Sequence, residues 1–109
     1  MEHEDVKRRF TKLAPEAQLR VLATVGHHLT IAARDAYEFE APGVRAPQRL
    51  RDINEIQHRV YAHILALAAD DKRRYPDDDL LSIIFEFGDE HVRAQSLRAF
   101  EDALQRFHV

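Results

Sequence analysis

The sequence predicts an all-α fold, a bundle of four to five helices built on a long antiparallel helical hairpin. Three observations point there. Through two long stretches the apolar residues recur at spacings of three and four, the repeat of one helix face. Gly (3) and Pro (4) are scarce among 109 residues, fewer than turn-rich β architectures need. The prolines fall at the edges of the periodic stretches, where a missing N–H costs a helix nothing. With 45% apolar and 32% charged residues the chain reads as one globular domain over residues 1–109.

The first helix is predicted over residues 2–13. Acids open it and bases close it, matching the helix dipole, and Glu4–Arg8 and Asp5–Arg9 are acid-to-base pairs four apart. Only Val6, Phe10 and Leu13 are apolar, a narrow stripe. Pro15 starts the second helix, 15–39, along which Leu22, Val25, Leu29, Ala32, Ala36 and Phe39 form one stripe. Beside that stripe, Ala23, Gly26 and Ala33 are small enough for a neighbouring helix to come close. Pro42-Gly43 marks a turn, and Pro47 starts a third helix, 47–71, with Leu50, Ile53, Ile56, Val60, Ile64 and Leu67 in line. Each long helix spans roughly 35 Å at about 1.5 Å per residue. So short a connection favours an antiparallel hairpin. Pro76 and the run Asp77-Asp78-Asp79 introduce a fourth helix, 77–87, which Gly88 interrupts. A fifth, 89–107, carries Val92, Ser96 or Leu97, Phe100, Ala103 or Leu104, and Phe107 on its stripe, supported by Asp89–Arg93 and Asp102–Arg106 pairs.

Composition removes several function classes. With no cysteine there is neither a disulfide nor a Cys-based zinc site. No apolar run approaches the roughly 20 residues of a membrane span. Met1-Glu2-His3-Glu4-Asp5 is acidic, the opposite of a signal peptide, so the expected location is the cytoplasm. A net charge of −3 argues against non-specific nucleic-acid binding. The basic clusters Lys7-Arg8-Arg9 and Lys72-Arg73-Arg74 are flanked by acids and read as solvated helix ends. No Gly-x-Ser-x-Gly elbow, phosphate loop or dinucleotide fingerprint occurs, and no enzyme is expected.

Residues 80–87 hold six apolar residues in eight. A helix apolar nearly all round is either wrapped by its neighbours or exposes part of its surface to another chain. The second alternative makes Leu80, Leu81, Ile84, Phe85 and Phe87 a partner-binding face, for a protein partner or for self-association. The leading functional expectation is therefore a non-enzymatic interaction or regulatory module.

A second candidate follows from the hairpin. With its turn near Gly43, residues whose numbers sum to about 86 lie level, which sets His28 beside His58 and Asp35 beside Arg51. Arg51, Asn54, His58 and Tyr61 share a stripe, and Glu55 lies one turn from His58. Asp35, Arg51, Asn54 and Tyr61 form an expected polar cluster. His28, Glu55 and His58 form the alternative site: two imidazoles and a carboxylate suit a divalent transition metal. Without that metal no cofactor is expected. A DNA-binding regulator is the remaining alternative, opposed by helices too long for a helix-turn-helix and by acids interspersed with Arg93, Arg98 and Arg106.

Overall fold

The computed structural model describes residues 2–39, 45–70 and 78–107, with side chains placed at 4–37, 48–70, 81–82 and 84–107. The Pro42-Gly43 turn and the Lys72-Arg73-Arg74 cluster lie outside the described residues. Within them the fold is helical throughout: α1 (Glu2–Thr11), α2 (Pro15–Phe39), α3 (Arg45–Ala68), α4 (Asp78–Glu86) and α5 (Glu90–Arg106). Helix α3 begins two residues before Pro47, because any of the first few helical positions tolerates a residue without an N–H.

α2 and α3 form the antiparallel hairpin. Its register is visible where the small residues bring the helices together. The Tyr61 ring lies across Gly26, so close that a β-carbon there would sit 3.0 Å from the ring. One turn along, Gln57 donates its side-chain amide to the Thr30 hydroxyl, which itself donates to the Gly26 carbonyl at 2.9 Å. Two residues beyond the end of α3, Asp70 lies in the left-handed region at φ 55°, a conformation that Asp tolerates better than most residues.

The core draws on all five helices. α2 contributes Val21, Leu22, Val25 and Leu29, and α3 contributes Ile53, Ile56 and Val60. α5 runs back along α2 and buries Val92, Ser96, Ala99, Phe100, Ala103 and Leu104. Phe100 is its pivot. It meets Phe10 of α1 edge-on at 6.0 Å between ring centres and Phe85 of α4 edge-on at 5.1 Å, the arrangement that ring quadrupoles favour.

Two charged groups depart from the sequence expectation. Lys7 is not a solvated helix end: it is only 8% exposed, and its ammonium donates to the Ser82 hydroxyl at 2.9 Å. It sits three residues before Phe10 on the buried side of α1, so its aliphatic stem lies along the core while its tip finds a partner on α4. Asp89 does not pair with Arg93. It accepts from Arg49 of α3 at 3.0 Å and from the Val92 N–H at 2.9 Å, as the N-cap of α5, while Arg93 donates to the Gly88 carbonyl. Gly88, at φ 80°, makes the break between α4 and α5, and a β-carbon there would meet Val92 at 2.9 Å.

Two outcomes follow. Phe100→Ala removes the contact shared by three helices and is expected to cost about 3–5 kcal/mol in urea unfolding. The Val92 N–H, with Arg49 and His91 nearby, holds the Asp89 carboxyl below its usual range. A depressed carboxyl stabilises the fold above its unfolded pKa, and that stability is lost as pH falls through the folded one. Asp89→Ala should thus cost about 1 kcal/mol at neutral pH, and the gap to the parent should close in acid melts.

Candidate functional site

A cleft with a polar rim lies between α2 and α5. The start of α5 is tied to the start of α3 through Asp89–Arg49. That end of the hairpin is where α2 finishes, so α5 is antiparallel to α2. Where the two helices face each other the contact residues are small: Ala32, Ala36 and Ala99, with Leu29 and Ile31 beside them. No large side chain fills the space, which leaves a cavity of about 330 Å³. Its rim is polar: His28 and Asp35 from α2, and His91, Gln95, Arg98 and Asp102 from α5. On α5 these four recur at spacings of four, three and four, one stripe next to the buried one. Beyond His91 a shallower depression is lined by Gln48, Arg49, Asp89, Glu90 and Ala94.

The His28, Glu55 and His58 group does not assemble. Among the described residues no three His, Cys, Asp or Glu side chains are arranged to hold a metal ion. The heights expected from the hairpin are right, since Gly26 faces Tyr61 and Thr30 faces Gln57. The direction around the helix is what differs. Gly26 and Thr30 occupy the seam with α3, and His28, two residues from either and so on another side of the helix, opens into the α5 cleft. Glu55 instead pairs with Arg59 at 3.5 Å, and His58 is exposed.

The polar cluster likewise separates. Asp35 lines the cleft with α5, whereas Arg51 donates to Gln48 within α3 at 2.8 Å. Asn54 is exposed, and Tyr61 covers Gly26 at the seam.

The apolar segment is internal where its side chains are described. Leu81 and Ile84 are 1% exposed and Phe85 5%. Phe87 is half-buried against the core, where Arg59 lies over its ring. The Leu80 side chain lies outside the described residues. α4 packs on both α1 and α5, so its apolar sides are covered from two directions. Among the described side chains of residues 80–87, Leu81, Ile84 and Phe85 are therefore part of the core.

An apolar surface does exist elsewhere. The exposed face of α3 changes character at His58. Before it stand Arg51, Asn54 and Glu55; from it onwards stand His58, Tyr61, Ala62, Leu65, Ala68 and Ala69, all exposed and none carrying a formal charge. Leu65 is 71% exposed and Tyr61 43%. Across the seam, the exposed Ala23 and His27 of α2 extend the patch, again without charge. This stripe has helical period in the sequence and is legible there as an uncharged outer face, although its alanines dilute it so that it does not stand out as an apolar run.

No helix among the described residues is long and apolar enough to cross a membrane. No family model matches the chain, and neither a curated protein nor a solved structure matches it.

Proposed function

We propose that the chain is a non-enzymatic, cytoplasmic protein–protein interaction or regulatory module, working without a cofactor, whose apolar helical surface is the second half of α3 and whose partner is a second copy of itself. The observation that carries this reading is the uncharged outer face from His58 to Ala69 in a chain of which 32% of residues are charged. An exposed apolar patch of this kind commonly marks an interface. A two-fold contact must be self-complementary, each projection meeting a recess on the other copy. This face supplies both, with Tyr61 and Leu65 projecting and Ala23, Ala62, Ala68 and Ala69 leaving room. Because it is uncharged, pairing with its own copy opposes no like charges. The face is about 16 Å long at about 1.5 Å per residue, enough for helices to lie along each other for three turns.

Light scattering on a sizing column tests the proposal. The expected species has twice the 12.7 kDa mass of the chain, dissociating on dilution. Leu65→Lys should leave stability within about 0.5 kcal/mol of the parent, since the side chain is already in water, and should yield a monomer. Leu81→Asp serves as the contrast. It places an unpaired charge in the core and should cost about 4 kcal/mol or more, unfolding the chain rather than merely dissociating it. A parent chain that stays monomeric throughout the concentration series would remove the reading.

A further inference from the structure

We propose that the α2–α5 cleft is a binding site for a small aliphatic zwitterion, in chemical class an amino acid. The site lies on the side of α2 turned away from the Gly26–Tyr61 seam, so the proposal does not rest on pairing through α3. Its volume of about 330 Å³ is at the lower end of the range in which proteins hold small molecules. Its floor is aliphatic: Leu29, Ala36 and Ala99 are buried, and Ile31 and Ala32 half-buried. A branched hydrocarbon group laid on that floor gains contact without displacing any polar group from water.

The charged rim sets the rest of the ligand. Arg98 and Asp102 stand one turn apart on α5, both facing the cleft. Their order, base before acid along the helix, is the weaker one for pairing with each other. A guanidinium presents a fork of donors matched to a carboxylate, and an aspartate one turn away accepts from an ammonium. A molecule carrying both groups on one carbon satisfies Arg98 and Asp102 at once, whereas a simple anion or cation would leave one of those two opposed or unpaired; Asp35, the third charge on the rim, lies beside Arg34 at 3.8 Å. In the antiparallel arrangement Asp102 lies towards His28 and Arg98 towards Ile31 and Ala32. The charged head of the ligand thus sits over the rim while its side chain reaches the floor.

The test uses the full chain, labelled with nitrogen-15 and titrated with L-leucine while backbone amide signals are followed. Saturable shifts at Ala32, Arg98 and Asp102 are expected. Leucinamide, which lacks the carboxylate, and 4-methylpentanoate, which lacks the ammonium, should each bind at least about tenfold more weakly, as should L-leucine to Arg98→Gln and Asp102→Asn, since each change removes one charge-assisted hydrogen bond. Both substituted side chains are exposed, so the variants should fold like the parent. Ala32→Leu, filling the floor, should abolish binding. The monomeric Leu65→Lys variant should bind as the parent does, which separates failure of this site from failure of the α3 interface. Absence of saturable shifts up to about 10 mM, weaker than any useful affinity on the millimolar scale, would overturn the proposal. So would equal binding of the two analogues, or unchanged binding to Arg98→Gln.

Discussion

Phe100 sets what the rest of the molecule can do. α1 has 10 residues and α4 has 9, too few for either helix to persist alone in water. Each is held by one ring packed edge-on against Phe100, and Lys7 joins them to each other through Ser82. The consequence reaches beyond stability. Seating α4 between α1 and α5 places Leu81, Ile84 and Phe85 of the most apolar segment in the core. Among the described residues, the hairpin carries an uncharged face that this packing leaves in water.

α2 divides its circumference among neighbours. One side meets α3 at Gly26 and Thr30, where the missing side chain lets a tyrosine lie flat across the backbone. A second side meets α5 over alanines, and the space they leave becomes the cleft. The outward side, with Ala23 and His27, continues the uncharged face of α3. Small residues therefore do two different jobs on one helix. At position 26 a small residue brings a partner into contact; at positions 32 and 36 it leaves a hollow. The difference lies in what the opposite helix presents: a tyrosine reaches into the first gap, whereas Ala99 leaves the second open.

The helices and the hairpin register were legible because they follow from local properties. Apolar spacing, prolines at helix starts, the Gly88 break and the helix restart at Asp89 all act within a turn or two of themselves. The site residues were legible only in part. His28 and Asp35 were singled out, and both line a cleft, but beside α5 rather than α3. Height along a helix follows from counting residues. Azimuth depends on which side of α2 each neighbour takes, and a single residue changes it by about 100°. The stripe His91, Gln95, Arg98 and Asp102 could be read from its spacing, yet nothing in α5 says that α2 lies opposite. The burial of Lys7 was hidden for the same reason, since its partner Ser82 is 75 residues away.

Taken by itself, the sequence determined the helical class, the approximate ends of the helices and the pairing of α2 with α3, because backbone hydrogen bonding and apolar periodicity are local and nearly independent of context. Tertiary structure alone decided that Leu81, Ile84 and Phe85 are core, that His28 lines a cleft with α5 rather than meeting His58, and that an uncharged face from His58 to Ala69 is left in water. Those outcomes depend on which faces meet, and the meeting of faces is settled by packing all five helices around Phe100 at once.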